Sequence, residues 1–274
     1  MDRRGFLKEL GLVGGSGVLL AMFPWLQSCS DEARREVAGE KARLAIVGTG
    51  SRGQYHIQNL LNTPEAEIVA LCDIYRPHLA EAAALCPGAK CYSDFDELLK
   101  DTNVQGLVIA VPLSSHAPLS IAGLRAGKHV FCEKPLSLSA EQSRELADLA
   151  KKKGVVNYCG FSNIMNPANQ YVAELVKSGK LGKIMRVHAT YDQDMLLDPS
   201  IPIAWRHINK LAGSGALGDL CSHLLSVSQM IMGDMSEVLG VQSIVIPERP
   251  VKAGSTEMGK VENDDLITFL VKYE

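Results

Sequence analysis

Short apolar runs alternate with helix-like segments between residues 42 and 160. Runs of four to eight residues at Ala42–Val47, Glu67–Asp73, Val104–Val111 and His129–Cys132 are apolar and β-prone. Runs of this length are typical of strands that are buried on both faces of a sheet. Because strands that alternate with helices form parallel sheets with right-handed crossovers, we expect a parallel α/β fold in this part of the chain.

Two further strands complete this pattern. Residues 91–100 predict a short strand followed by a helix, and Val155–Gly160 forms the last strand. The helix before that last strand begins at Ser139, and Gln142 stands three residues later, as in a capping box. The spacing therefore predicts six strands of one parallel sheet over residues 42–160.

The pattern changes after Gly160. Residues 167–182 predict a helix that ends at a glycine, and residues 183–194 predict a long strand. Farther along, Asp219 and His223 stand four residues apart, so that a helix presents both side chains on one face. We expect residues 161–274 to form a second domain that serves substrate binding and oligomerisation.

The first strand leads directly into a glycine-rich turn. Gly48, Gly50 and Gly53 form the pattern G-x-G-x-x-G, and a helical pattern begins at once. This pattern alone is weak, but a strand before it and a helix after it are the context of a dinucleotide-binding turn. We therefore expect residues 42–160 to form a Rossmann-type, dinucleotide-binding domain. Arg52, inside the turn, either helps to neutralise the pyrophosphate or only solvates the start of the helix.

An acid ends the second strand. Asp73 stands twenty residues after Gly53, at the place where a carboxylate accepts hydrogen bonds from the ribose hydroxyls of the adenosine. A carboxylate at that place repels a 2′-phosphate, so NAD is favoured over NADP. The alternative is that Asp73 only caps the following helix.

An acid, a base and a proline follow the fifth strand. Pro135 cannot donate to a ladder, so it ends the strand and leaves Glu133 and Lys134 at the carboxyl end. In open α/β sheets, that edge faces the ligand crevice. The alternative is a surface ion pair between the two residues. Because Pro112 emerges at the same predicted edge, a site role for Lys134 is favoured.

Composition excludes some classes of function. Of the 274 residues, 46% are apolar and 22% are charged, which is typical of a globular protein. The net charge of −3 and the pI of about 6.2 indicate no basic patch, so nucleic acid is not an expected partner. None of the seven cysteines forms a C-x-x-C pair, which argues against zinc, and we expect no metal.

Residues 1–29 predict an export signal. Arg3 and Arg4 precede a run from Leu10 to Ser30 that has no charged residue, as in a basic n-region followed by an apolar h-region. The arginine pair and the Phe6–Lys8 segment resemble the twin-arginine signature, which exports folded proteins. An uncleaved membrane anchor is the alternative.

A cysteine closes this signal. The segment Leu26–Cys29 resembles a bacterial lipobox, with Cys29 as the lipidated residue. Residues 30–41 are rich in charge and predict a solvated linker. We therefore expect a protein outside the cytoplasm, either periplasmic or held to the membrane by a lipid anchor.

Together these features resemble the glucose–fructose oxidoreductase and inositol dehydrogenase (Gfo/Idh/MocA) family. The resemblance runs from about Arg43 to the end of the chain and rests on the segments VGTGSRG, VPLSSH, GKHVFCEKP, WR and GSGALGDLCSH. It implies a Rossmann domain followed by an α+β domain with an open antiparallel sheet. Because the chain stops inside an expected strand of that sheet, we expect this sheet to be incomplete.

The resemblance also implies site residues. Lys134, Asp219 and His223 match the catalytic positions of the family, and these three are expected to bind substrate together with Trp205 and Arg206. The residues expected at the cofactor come from the glycine turn and the sheet edge: Gly48, Gly50, Ser51, Arg52, Gly53, Asp73, Pro112, His116, Glu133 and Lys134.

The expected function is NAD-dependent oxidation or reduction of a secondary hydroxyl or carbonyl of a sugar or polyol. His223 would act as the base, Lys134 would hydrogen-bond the reacting oxygen, and Asp219 would orient substrate hydroxyls. One alternative is an NAD-dependent glycosidase of the same fold that oxidises its sugar transiently. Another is a non-catalytic sugar sensor. We expect a homo-oligomer.

Overall fold

The computed structural model describes residues 40–274, so the predicted export signal, Cys29 and most of the linker lie outside the described residues. The strands are β1 Ala42–Val47, β2 Ala66–Cys72, β3 Lys90–Tyr92, β4 Gly106–Ile109, β5 His129–Cys132, β6 Asn157–Cys159, β7 Met235–Ser243, β8 Glu248–Pro250, β9 Met258–Lys260 and β10 Leu266–Tyr273. The helices are α1 Ser51–Leu61, α2 Arg76–Leu85, α3 Phe95–Leu99, α4 His116–Arg125, α5 Ala140–Lys153, α6 Pro167–Lys177, α7 Asn209–Ala212 and α8 Ser222–Met232. Of the helices in residues 40–274, none is long and apolar enough to cross a membrane.

The first six strands form one parallel sheet in the order β3-β2-β1-β4-β5-β6. This order confirms the predicted Rossmann fold. The strand order reverses between β1 and β4, and in such sheets ligands bind at that switch point, beyond the carboxyl ends of the strands. The glycine turn after β1 and the segments after β4 and β5 all lie at this edge.

The core of the sheet explains why the strands are apolar throughout. Leu107 and Ile109 of β4 pack in a cluster on one face of the sheet, whereas Val108 packs on the other face with Ile46 and Ile57. Successive side chains of a strand point to opposite faces, and helices cover both. All four residues of β4 are therefore buried, which is the reason for its continuous apolar run.

The second half of the chain contains two small antiparallel pairs. β7 pairs with β10 over eight residue pairs, from Leu266 opposite Ser243 to Tyr273 opposite Met235, and β8 pairs with β9. Helix α8 packs against α6. This confirms the predicted α+β domain with a small antiparallel sheet.

One predicted strand is wrong. Residues 184–194 form no regular secondary structure, although their composition predicts a long strand. A strand is stabilised by hydrogen bonds to a neighbour, and the antiparallel pairs β7–β10 and β8–β9 do not include this segment. Without a ladder partner, the apolar and β-branched residues here do not make a strand.

Candidate active site

The glycine turn forms a tight connection between β1 and α1. Gly48 has a φ of 86°, and a Cβ there would lie 2.4 Å from the carbonyl oxygen of Ala110; a Cβ on Gly53 would lie 2.0 Å from that of Gly48. Helix α1 begins after Gly50 without a side-chain cap and without an acid in its first turn. The free N–H groups at Ser51 and the next residues therefore fit an anionic pyrophosphate.

Asp73 holds this turn in place. Its Oδ2 accepts hydrogen bonds from the backbone N–H of Thr49 at 2.7 Å and from the Thr49 hydroxyl at 3.1 Å, and its Oδ1 accepts one from the N–H of Tyr75 at 2.8 Å. Each carboxylate oxygen accepts about two hydrogen bonds, so acceptor capacity remains for a ribose hydroxyl. The turn, the helix start and Asp73 together fit an adenine dinucleotide.

Glu133 does not pair with Lys134. Its Oε1 accepts hydrogen bonds from Nε of Arg52 at 2.7 Å and lies 2.8 Å from Nε2 of His56. Burial would raise the pKa of Glu133, but the hydrogen bonds and charges of His56 and Arg52 outweigh it and lower the pKa to about 2. The carboxylate therefore connects α1 to the end of β5, and the alternative of a surface ion pair between Glu133 and Lys134 is wrong.

Lys134 reaches across the crevice to the second half of the chain. Its Nζ donates to Oδ1 of Asp219 at 2.6 Å and to the backbone carbonyl of Asp219 at 2.8 Å. Arg206 donates from Nε to Oδ2 of the same carboxylate at 3.1 Å, and its guanidinium lies over the ring of Trp205, 4.5 Å from the centroid. Two cations therefore share one carboxylate at this point.

The electrostatics of Asp219 and His223 follow from this arrangement. Burial would raise the pKa of Asp219, but Lys134, by its hydrogen bond and charge, and Arg206 outweigh it and lower the pKa. Burial, and then the charge of Lys134, lower the pKa of His223 below its ordinary 6.5. At neutral pH, Asp219 is thus ionised and His223 is neutral, which is the form of a histidine that accepts a proton.

A five-residue π-helix, Leu217–Cys221, carries Asp219 and leads into α8, which carries His223. Short π-helical segments that lead into an α-helix occur often at functional sites. Asp264 holds the start of this helix, because its carboxylate accepts from the N–H groups of Gly215 and Leu217, each at 2.8 Å. The glycine-rich segment before the helix follows from this contact, since a Cβ on Gly215 would lie 1.7 Å from the carbonyl oxygen of Asp264.

Nine of the predicted residues line one cavity of about 620 Å³, a volume typical of small-molecule sites. The other predicted residues are not part of its wall: Gly48, Gly50, Gly53, Asp73 and Pro112. Its wall includes Ser51, Arg52, His116, Glu133, Lys134, Trp205, Arg206, Asp219 and His223. The Nδ1 of His223 is buried and has no hydrogen-bond partner within residues 40–274. In that same range, no group of histidine, cysteine, aspartate and glutamate has the arrangement of a metal site.

Two predicted cofactor residues have a different surrounding from the one expected. Pro112 precedes a 3₁₀ turn, and its neighbours Val111 and Leu113 line the cavity. Both ring nitrogens of His116 face backbone carbonyl oxygens, at 2.6 and 2.8 Å. His116 therefore has no free nitrogen for a cofactor, although cofactor binding by the rest of the edge stays a prediction.

Sequence reasoning missed three residues of this site. Tyr191 and Gln193 line the cavity from the irregular segment that was predicted to be a strand, and the ring of Tyr191 meets that of His223 edge to face at 6.1 Å. Asp264 was missed as well. The pair Asp264–Asp265 ahead of the apolar strand β10 was the available signal, but nothing local indicated that Asp264 would bind a helix start.

Comparison with known proteins assigns the fold and site to a family. Residues 42–161 match the model of the Gfo/Idh/MocA oxidoreductase family with an NAD-binding Rossmann fold, and residues 169–274 match that of the Gfo/Idh/MocA C-terminal domain. The chain belongs to this family. The predicted NAD-binding fold is thereby confirmed, and the glycine turn and Asp73 fit that cofactor.

Individual relatives act on sugars and polyols. The chain is 33% identical to levoglucosan dehydrogenase of Pseudarthrobacter phenanthrenivorans over 71% of its length and 53% of the relative's. It is 29% identical to myo-inositol 2-dehydrogenase of Thermotoga maritima, over 80% and 64% of the two lengths. A solved levoglucosan dehydrogenase, in complex with NADH and L-sorbose, superposes with a TM-score of 0.80 at 30% identity, covering 86% of this chain and 64% of that one. The chain thus spans between about half and two thirds of the length of these relatives.

Proposed function

We propose that this protein transfers a hydride between NAD and a secondary carbon of a sugar or polyol. The observation that carries this proposal is the contact between Lys134 and Asp219, beside His223, in the cavity that the glycine turn borders. This arrangement puts a cation, an anion and a neutral imidazole where the cofactor crevice meets the second half. The names of the dehydrogenase relatives support a polyhydroxylated substrate.

In the forward direction, the alcohol loses a hydride and a proton and becomes a carbonyl. Bound NAD supplies the hydride acceptor. His223 takes the hydroxyl proton, because its pKa is lowered and it is neutral at physiological pH. Lys134 donates a hydrogen bond to the reacting oxygen and stabilises the negative charge that develops there.

Asp219 has a positioning role in addition to the predicted role toward substrate hydroxyls. Its oxygens are engaged by Lys134 and Arg206, so it first positions those two donors. Its remaining lone pairs are available to substrate hydroxyls. Arg206 is held at Nε by Asp219 and stacked on Trp205, which orients its guanidinium toward the same cavity.

The test is turnover by Lys134→Met on a panel of sugars and polyols. Loss of a positioned donor to developing charge lowers kcat by roughly a hundred- to thousand-fold, while NAD affinity stays close to that of the wild type. Lys90→Met is the matched control, since Lys90 is exposed on β3, and it should leave kcat unchanged. A Lys134→Met enzyme within about threefold of wild type, near 0.65 kcal/mol, would contradict the proposal.

The same assay separates the alternatives. NADH accumulates in step with oxidised product if the protein is a dehydrogenase. Release of an aglycone without net NADH would indicate the glycosidase, and binding without turnover of any substrate would indicate the sensor. Lys134 and His223 are both present in the cavity, which favours net dehydrogenation.

Export remains part of the proposal. The paired Arg3 and Arg4 and the later Cys29 support twin-arginine export and lipid attachment. Changing both arginines to lysine should hold the protein in the cytoplasm, and Cys29→Ala should abolish labelling by a radioactive fatty acid. Unchanged export of the double arginine variant would contradict the twin-arginine route. Unchanged labelling of Cys29→Ala would contradict lipid attachment.

A further inference from the structure

A short segment without regular secondary structure forms one wall of the cavity. Tyr191, Gln193 and Met195 line the cavity, whereas Asp192 and Asp194 between them do not. Alternate residues of an extended chain point to the same side, so this spacing presents two polar side chains and one apolar side chain to the cavity. The segment therefore shapes the substrate space, although it belongs to none of the strands in residues 40–274.

Hydrogen bonds just beyond this segment hold its end in place. The guanidinium of Arg249, which is 1% exposed, donates to three backbone carbonyl oxygens of the following turn, those of Leu196, Asp198 and Ile201. Hydrogen bonds from an ionised donor are stronger than those between neutral groups. The wall is therefore anchored by a buried side chain rather than by a strand ladder.

The ring of Tyr191 places this wall beside His223. The two rings meet edge to face with their centroids 6.1 Å apart, and the ring of Phe161 meets the same imidazole edge to face at 5.9 Å. Edge-to-face contacts at such distances are favourable between aromatic rings. Because His223 takes the proton of the reacting hydroxyl in the proposed function, the side chain of Tyr191 lies next to the place of that hydroxyl.

The two polar side chains of the wall keep hydrogen-bonding capacity for a ligand. Nε2 of Gln193 donates to the hydroxyl oxygen of Tyr191 at 3.3 Å. A tyrosine hydroxyl also has a proton to donate, and a glutamine amide also has a carbonyl oxygen and a second N–H. Both residues are exposed, Tyr191 by 37%, so these donors and acceptors are accessible to a molecule in the cavity.

The chemistry of the wall indicates which ligand group it fits. Tyr191 and Gln193 offer donors and acceptors without a formal charge, whereas Lys134 and Asp219 form an ion pair elsewhere in the cavity wall. A hydroxyl group both donates and accepts hydrogen bonds, so it can use both kinds of group. An anionic group would lose its hydration beside this wall without gaining an opposite charge. The wall therefore fits a neutral hydroxyl.

We propose that Tyr191 and Gln193 select the substrate by binding a second hydroxyl, close to the one that His223 deprotonates. This inference rests on the proposed function and narrows its substrate to a neutral sugar or polyol with a free hydroxyl near the reacting carbon. A site that hydrogen-bonds a hydroxyl rejects an analogue without it, because the polar groups of the site are then left unpaired. Tyr191 and Gln193 are specificity-determining residues and take no part in proton or hydride transfer.

Kinetics on deoxy analogues test this inference. The wild type is assayed with NAD on levoglucosan and myo-inositol, and then on the monodeoxy derivatives of the compound that it oxidises or binds. Tyr191→Phe keeps the ring against His223 and removes only the hydroxyl, so it should raise KM for the parent compound by about five- to tenfold and leave kcat within about threefold. On one monodeoxy derivative, wild type and Tyr191→Phe should have the same KM, because this derivative lacks the hydroxyl that Tyr191 binds. Gln193→Leu should give the same result on the same derivative.

A matched control and a binding measurement complete the test. Tyr158→Phe should leave KM unchanged, since Tyr158 stacks on Phe131 and is not part of the cavity wall. An equal rise in KM on the parent and on every derivative would overturn the inference, because a merely structural role does not depend on one hydroxyl. Calorimetry of the same compounds with the protein–NADH complex separates the two proposals. Binding that depends on one hydroxyl, without turnover, would contradict only the proposed function, and the absence of binding would overturn the inference.

Discussion

The two halves of the chain bury their strands to different degrees. All four residues of β4 are buried, whereas eight of the nine residues of β7 are exposed and β10 alternates between exposed and half-buried residues. The first half is stabilised by an apolar core on both faces of its sheet. The second half is organised around the cavity by polar contacts instead.

Buried polar residues show how that second half is held. Arg249, 1% exposed, donates from its guanidinium to the carbonyl oxygens of Leu196, Asp198 and Ile201. Asn263 donates to the carbonyl of Arg206 at 2.7 Å. These contacts fix irregular segments that line the cavity. The cofactor half (residues 42–160) therefore supplies a regular sheet edge with a buried apolar core, and the other half supplies polar loops that shape the cavity.

The exposed face of β7 and β10 bears on the prediction of a homo-oligomer. Leu239 and Leu270 are 69% and 72% exposed. Isolated exposed apolar residues are common on surfaces, but several on one strand pair are typical of a covered face. Self-association therefore stays a prediction that this face supports.

The largest expected effect on stability comes from a truncation in the buried core of the first sheet. Leu107→Ala removes a buried side chain from β4 and should lower the free energy of unfolding by about 2–5 kcal/mol. Leu270→Ala, the same change on an exposed strand, should cost less than about 0.5 kcal/mol. Urea denaturation measures both. An equal cost at Leu270 would mean that its face is covered in solution.

The loss of folding stability at low pH should come mainly from Glu133 in the cofactor half. The pKa of Glu133 in the folded protein is about 2, below the ordinary 4.5. The unfolded chain therefore binds this proton more readily, and the stabilisation is present above about pH 4.5 and is lost as pH falls toward 2. The shift corresponds to about 3 kcal/mol. Glu133→Gln should lose this pH dependence, and parallel wild-type and variant curves over that window would contradict the prediction.

Two glycines, one in each half of the chain, differ in how much space their surroundings leave for a side chain. A Cβ on Gly53 would lie 2.0 Å from a backbone oxygen, so Gly53→Ala should cost about 1–3 kcal/mol and weaken NAD binding. In β7, a Cβ on Gly240 would meet its nearest atom at 3.6 Å, an ordinary contact, so Gly240→Ala should stay within about 0.5 kcal/mol. Thermal unfolding and NAD titration together measure this, and similar results for the two variants would remove the contrast.

The smallest expected effect is a change in the preference for NAD over NADP without a change in substrate binding. Asp73→Ser removes the charge that repels a 2′-phosphate, so the preference for NAD over NADP should narrow by about tenfold, or 1.4 kcal/mol. The KM for the sugar should not change. Thr49→Val is the control, because it removes the 3.1 Å bond of the threonine hydroxyl but keeps the carboxylate. A wild type that prefers NADP would show that Asp73 is misplaced.

The sequence alone determined the cofactor half almost strand for strand. β1 and β5 have the predicted bounds, β2, β4 and β6 lie within two residues of theirs, and β3 lies at the start of the segment predicted to hold it. A strand that is covered on both faces needs an apolar residue at every position, so its signal is local and continuous. Residues 184–194 show the opposite case, since a strand in an open antiparallel sheet depends on a partner that its own sequence does not encode.

For the site, the sequence determined which residue types are present, and the tertiary structure decided their partners. Glu133 and Lys134 are adjacent in sequence, but successive side chains of an extended chain point to opposite sides, so they do not pair. Lys134 instead binds Asp219, 85 residues away, while Glu133 binds Arg52 and His56 of α1. Contacts of this range depend on how separate elements pack, and only the folded chain brings them together.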